Sequence, residues 1–206
     1  MSVKIKLCGM FRECDIDYAN EAQPDYIGFV LEFPKSHRSI DRETAVRLKE
    51  RLSPEIKAVG VFVDLPETAC AEYANCGIID LIQLHGNEDA ENIRLLRQLT
   101  DAPVIKAVKV RSAGDIAEAQ SLGADFLLLD NGTGTGRSFD HSLIGRAEIR
   151  QPFFLAGGLT PENLRQAALE VKPYCVDLSS GIETDRVKDR EKMLAAVRAV
   201  RGIDGN

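Results

Sequence analysis

Two stretches near the carboxyl end decide the fold: Phe153-Phe154-Leu155-Ala156-Gly157-Gly158-Leu159-Thr160-Pro161, and Val176-Asp177-Leu178-Ser179-Ser180-Gly181-Ile182-Glu183. Each reads as a buried strand that ends abruptly in small residues. In the first, Gly157 and Gly158 let a ligand approach the backbone, while Thr160 is placed to cap a helix and Pro161 suits its first turn. Free N–H groups then point back at the strand end. In the second, Ser179-Ser180-Gly181 offers two hydroxyls and uncrowded N–H groups, which is what an anion needs from a loop without lysine. Two such loops after the last two of eight strands match the phosphate grip of a (β/α)8 TIM barrel, and they point to an enzyme acting on a sugar phosphate.

Working outward, eight apolar runs rich in Val, Ile and Leu recur: Val3–Cys8, Asp25–Leu31, Ile56–Val63, Ile78–Leu84, Val104–Val110, Asp125–Asp130, Pro152–Ala156 and Tyr174–Leu178. Between them lie helical spacings with start signals at Asp41-Arg42-Glu43, Leu65-Pro66-Glu67, Asn87-Glu88-Asp89, Ser112-Ala113-Gly114-Asp115 and Thr160-Pro161-Glu162. Strict alternation means parallel strands joined by crossovers, and strands apolar on both faces need cover on both sides. A doubly wound sheet would also satisfy this; eight repeats with a phosphate grip at the end favour the closed barrel. At 206 residues the chain is expected to form a single domain over 1–206 with tight loops. The last helix is expected over 186–201, with Met193, Leu194, Val197 and Val200 facing the barrel and a frayed tail after it.

Composition narrows the function. A net charge of −6 and no run of Lys or Arg argue against nucleic acid. Five cysteines, an odd number with no CxxC pair, fit a reducing, cytoplasmic setting. The amino terminus lacks a signal-peptide core, and no apolar run is long enough to span a membrane. His37, His85 and His141 fall in three different loops without metal-ligand spacing, so no metal is expected.

In a barrel of this kind the chemistry sits at the carboxyl ends of the strands. The first ends in Lys6-Leu7-Cys8-Gly9, where an ammonium on the same face would lower the thiol's pKa; the plainer reading is a small buried hydrophobe. After the second, Arg38 is suited to clamp a carboxylate with two parallel hydrogen bonds. Gln83 and His85 share one face at the end of the fourth. Asp130 closes the apolar sixth strand, where partial desolvation would favour a proton-holding general acid; the alternative is a cap for the glycine-rich turn that follows. That turn, Asn131-Gly132-Thr133-Gly134-Thr135-Gly136-Arg137, lacks the ending of a P-loop and opens no dinucleotide fingerprint, so it reads as a flap rather than an ATP or NAD site.

Lys6-Leu7-Cys8-Gly9, Ser36-x-Arg38, Gly60-Val61-Phe62, Gln83-Leu84-His85-Gly86, Asp130 with its glycine-rich loop to Phe139-Asp140, Ala156–Thr160 and Asp177–Glu183 together resemble the phosphoribosylanthranilate isomerase family of tryptophan biosynthesis. The matches run in order over nearly the whole chain. The resemblance implies an Amadori rearrangement of N-(5-phosphoribosyl)anthranilate to 1-(2-carboxyphenylamino)-1-deoxyribulose 5-phosphate, without metal or organic cofactor. It implies Asp130 as general acid to the ring oxygen and Cys8 as general base at C2. Arg38 would face the anthranilate carboxylate. Gly157, Gly158, Ser180 and Gly181 would hold the phosphate, and Asp177 would either touch ribose hydroxyls or be structural. Met10-Phe11, Cys14 and the longer glycine-rich loop depart from the family pattern and are expected to alter the mouth of the site and its closure.

Other readings are a pentulose-phosphate epimerase, which would want metal-binding histidines at strand ends, and indole-glycerol-phosphate synthase, which Lys106 on the fifth strand would weakly support. A non-catalytic sugar-phosphate sensor is a third. The expected partner is a small phosphorylated molecule, with the protein monomeric or a homodimer.

Overall fold

The computed structural model describes residues 2–130, 144–145 and 147–203. Eight parallel strands form the barrel: β1 (Lys4–Cys8), β2 (Tyr26–Leu31), β3 (Lys57–Phe62), β4 (Leu81–Leu84), β5 (Val104–Lys109), β6 (Phe126–Asp130), β7 (Phe153–Leu155) and β8 (Cys175–Leu178). Each pairs with the next, and β1 pairs with both β2 and β8, so the sheet closes on itself. A two-residue strand, Ser39–Ile40, lies beside β2. Outside the barrel stand α1 (Glu13–Ala22), α2 (Arg42–Arg51), α3 (Glu67–Asn75), α4 (Ala90–Leu99), α5 (Ala113–Gln120), α6 (Leu164–Val171) and α7 (Arg190–Arg201).

All eight expected strands are present, with ends shifted by a few residues. The largest shift is at β4, which begins at Leu81 although the apolar run begins at Ile78. There Asp80 takes the Ala58 N–H onto its carboxylate at 2.7 Å, so Ile78 and Ile79 are spent in the turn from α3 and pack into the outer core. The start signals at Asp41, Asp89 and Ser112 act as caps, each side chain accepting from an N–H of the first turn.

Two expected helix starts move. After β7, α6 begins at Leu164 with Asn163 as its cap residue, not at Thr160. The Asn163 side chain accepts from Thr160 N–H at 2.8 Å and donates to Gly158 C=O at 3.0 Å, which folds residues 158–163 into a turn before the helix begins. The last helix begins at Arg190 rather than near 186, because Glu183–Thr184 and Val187–Lys188 pair as a short antiparallel hairpin. Asp185 and Arg186 turn it with φ of 50° and 65°, and Asp189 caps the helix behind it. The expected stripe on this helix is buried at Met193, Val197 and Val200, with Leu194 packed at its edge.

The core has two parts. A larger one fills the space between sheet and helices; a smaller one, with Val59, Leu81, Ile105, Leu128 and Phe154, fills the barrel. At the amino end of the strands the barrel is plugged by Tyr26, Phe126, Phe154 and Tyr174, whose ring centroids lie 5.1 to 5.8 Å apart in tilted and edge-on pairs. Lys4 Nζ donates to Tyr174 Oη at 2.9 Å and sits 5.0 Å from that ring's centroid. The amino end is thus closed by packing, and the carboxyl end is left for chemistry. Truncating the fully buried Phe154 to alanine should cost about 3–5 kcal/mol, read as a lower urea midpoint at unchanged denaturant slope; a loss below about 1 kcal/mol would show that the plug does not hold the barrel.

Candidate active site

At the carboxyl ends of the strands lies a cavity of about 350 Å³, within the range of ~300–1,000 Å³ usual for small-ligand sites. Cys8, Arg38, Asp130, Gly157, Gly158, Asp177 and Ser180 all reach its wall. Of the residues expected at the site, Gly181 alone stands behind the wall. A Cβ there would come within 1.9 Å of Leu159 C=O, so the loop after β8 can press against the loop after β7 only because residue 181 has no side chain.

The loops expected to hold phosphate meet at this contact. Gly157 and Gly158 take φ of 92° and 68°, which turns the chain sharply at the end of β7. Ser180 opens a single 3₁₀ turn, Ser180–Ile182. Among the described residues the N–H groups of Gly157, Gly158, Ser180 and Gly181 donate to no protein acceptor outside regular elements, so they remain available to an anion. Ser179 is tied inward, its hydroxyl donating to Cys8 C=O at 3.3 Å.

Cys8 and Lys6 share the inward face of β1, as their spacing requires. Gly28 stands opposite Cys8 in register, and a Cβ on it would lie 2.6 Å from Sγ; its absence is what makes room for the thiol. The expected lowering of the thiol pKa is not found. Lys6 Nζ, fully buried, lies 3.0 Å from both carboxylate oxygens of Asp177. Burial pushes the Cys8 thiol above its ordinary value, and Lys6, its charge shared with Asp177, only partly opposes this. Asp177 therefore has a structural partner while also reaching the cavity wall.

Asp130 closes β6 opposite Lys109 of β5 and reaches the cavity from the side away from Cys8. Between them on β4, Gln83 Nε2 lies 2.9 Å from His85 Nδ1. Burial lowers the His85 pKa, with the Asp130 charge opposing, so the ring is neutral near pH 7. The glycine-rich stretch after Asp130, expected as a flap, and His141 lie outside the described residues.

Arg38 reaches the mouth, but its fork is engaged. Nε and Nη2 donate to the two oxygens of Glu183 at 2.6 and 2.7 Å. The same carboxylate accepts from Lys188 Nζ at 2.6 Å, and Lys188, almost fully buried, also donates to Ser179 C=O at 3.1 Å. Sequence spacing gave no sign of this three-way clasp, which joins the loop after β2 to the loop after β8. Lys106 points the other way: it packs outside the barrel, 2.8 Å from Glu88 and from Gly86 C=O, so it is not a catalytic lysine at the mouth. Met10 is buried in the outer core and Phe11 stands edge-on to His37, neither lining the cavity, so the expected change at the mouth does not arise through them.

Residues 5–199 match the family described as N-(5'-phosphoribosyl)anthranilate (PRA) isomerase. The chain belongs to that family. Among curated relatives, an N-(5'-phosphoribosyl)anthranilate isomerase of Endomicrobium trichonymphae is 43% identical over 97% of this chain and 99% of its own length. The crystal structure of phosphoribosyl anthranilate isomerase from Thermotoga maritima superimposes with a TM-score of 0.86 at 34% identity, covering 97% of this chain and 99% of that one. Another crystal structure of a phosphoribosyl anthranilate isomerase, in complex with reduced 1-(o-carboxyphenylamino)-1-deoxyribulose 5-phosphate, has a TM-score of 0.83 at 33% identity, covering 97% of this chain and 99% of that one.

The Glu183 clasp has a pH signature. Burial would raise its pKa, but the hydrogen bonds from Arg38 and Lys188 outweigh burial and bring it from 4.5 down to about 2. A depressed carboxylate stabilises the fold above its unfolded pKa and stops doing so as pH falls through the folded value. Glu183→Gln should be less stable than wild type at neutral pH, with the difference shrinking from about pH 4.5 to about 2 in chemical denaturation. A gap that stays constant over that window would refute the assignment.

Proposed function

We infer that this chain catalyses the Amadori rearrangement of N-(5-phosphoribosyl)anthranilate to 1-(2-carboxyphenylamino)-1-deoxyribulose 5-phosphate in tryptophan biosynthesis. The observation that carries the reading is the convergence of a phosphate grip, a thiol and a carboxyl on one cavity. The chain's membership of the isomerase family supports it.

Phosphate held by the N–H groups of Gly157, Gly158, Ser180 and Gly181 anchors one end of the substrate at β7 and β8. The ribose then lies across the mouth between β6 and β1. Asp130 gives its proton to the ring oxygen; the C1–O bond breaks, the nitrogen lone pair forms C1=N, and the sugar opens to a protonated imine. That positive charge acidifies the hydrogen at C2. Cys8 as thiolate takes it, and the C–H electron pair flows to the nitrogen as an enolamine. Transfer of the C2 hydroxyl proton and protonation at C1 complete the ketone, so the product is an isomer and nothing is consumed. Arg38 would meet the anthranilate carboxylate, which has to share the guanidinium with Glu183 or displace it.

Loss of anthranilate fluorescence on turnover tests the reading. Cys8→Ala and Asp130→Asn should each lower the rate by about 10²–10⁴ while product binding persists; product binding without any turnover by the parent protein would turn the reading toward a sugar-phosphate sensor. The raised thiol adds a pH expectation. The thiolate fraction grows about tenfold per pH unit below its pKa, so the rate at which an alkylating reagent labels Cys8 should still climb above pH 8. A labelling rate that has already levelled off at neutral pH would mean that burial does not raise the thiol.

A further inference from the structure

Gln83 sits on β4 with its side chain directed into the barrel, on the same face as Leu81 and His85, and it is 1% exposed. Its Nε2 is matched by His85, while its Oε1 is buried and has no partner among the described residues. Turning the amide over would give the oxygen to His85 and orphan the two N–H donors instead, so in either orientation the side chain carries more polar capacity than the protein satisfies. The free protein bears the desolvation of that atom and receives no hydrogen bond in exchange. Gln83 also forms part of the wall of the cavity that Cys8 and Asp130 reach.

We propose that Gln83 Oε1 accepts a hydrogen bond from the C2 hydroxyl of the bound ribose. The inference rests on the isomerase reading for which carbon reacts. The phosphate is anchored at β7 and β8, and β4 faces β8 across the ring of strands, so Gln83 meets the end of the sugar far from the phosphate. Two hydrogens there can be donated: the anilino N–H at C1, which the neighbouring ortho carboxylate takes within the substrate itself, and the C2 hydroxyl. An uncharged amide oxygen orients that hydroxyl without ionising it. Holding it toward β4 directs the C2 hydrogen away from β4 and toward the thiol on β1. With His85 Nδ1 accepting the Nε2 hydrogen, the amide leaves Oε1 to the ligand.

The test is a thermodynamic cycle using ribose 5-phosphate and 2-deoxyribose 5-phosphate, with inorganic phosphate as control, all titrated calorimetrically. Wild type should prefer ribose 5-phosphate by about tenfold, the worth of one buried hydrogen bond, and Gln83→Met should cut the preference to within about twofold. Affinity for inorganic phosphate should be the same in both. Gln83→Leu, which also removes the acceptor, serves as the second variant. No preference in wild type, a preference that survives in the variants, or phosphate affinity that falls in step with the sugar's would each overturn the proposal. Turnover of phosphoribosylanthranilate is measured alongside. A wild type that discriminates the two sugars but does not turn over refutes the isomerase reading and keeps the contact; one that turns over but does not discriminate refutes the contact alone.

Discussion

The pair Lys6–Asp177 holds the barrel closed. It lies on the seam where the first and last strands meet, the two residues standing opposite each other in the β1–β8 register. A fully buried ammonium is tolerable only with a partner, and here burial, which alone would strip the proton, is outweighed by the Asp177 carboxylate, so the lysine keeps its charge. A slip of one residue would turn one member of the pair to the opposite face of the sheet and strand the other charge in the barrel. Breaking the pair by removing one member typically costs ~3–5 kcal/mol. Electrostatics therefore reinforces at the closing seam the register that the buried apolar residues of β1 and β8 also favour.

The same pair divides the barrel into two ends. Below it, toward the amino ends of the strands, lie the aromatic rings and Lys4; above it lie the thiol, the carboxyl and the glycine loops. Burial raises the Cys8 thiol more than the Lys6 ammonium two residues away lowers it, and the Asp177 charge adds to the rise.

The strands and the phosphate loops were legible in the sequence because their signals are local. Period-two runs of Val, Ile and Leu mark a strand wherever it pairs, and Gly157-Gly158 or Ser180-Gly181 has few uses besides a close approach of backbone. What escaped depends on partners far apart in the chain. Arg38 and Glu183 are 145 residues apart and meet only because β2 and β8 both flank β1. Lys106 looked like a candidate for the mouth until its parity on β5, set by Ile105 facing inward, turned it outward to Glu88. The pKa of Cys8 could not be read for a similar reason: the lysine is visible in sequence, but the burial that raises the thiol and the carboxylate 171 residues away that pairs with the lysine come only with the fold.

The contact between Gly181 and Leu159 leaves no room for a side chain between the loops after β7 and β8. That half of the mouth is therefore lined largely by backbone, which offers the same N–H groups whichever side chains surround it. The opposite half, from β2 to β4, is lined by side chains instead, among them Phe33, Arg38, Val61, Gln83 and His85. A change of substrate could be accommodated there by altering a few side chains, with the anchoring half of the barrel left as it is.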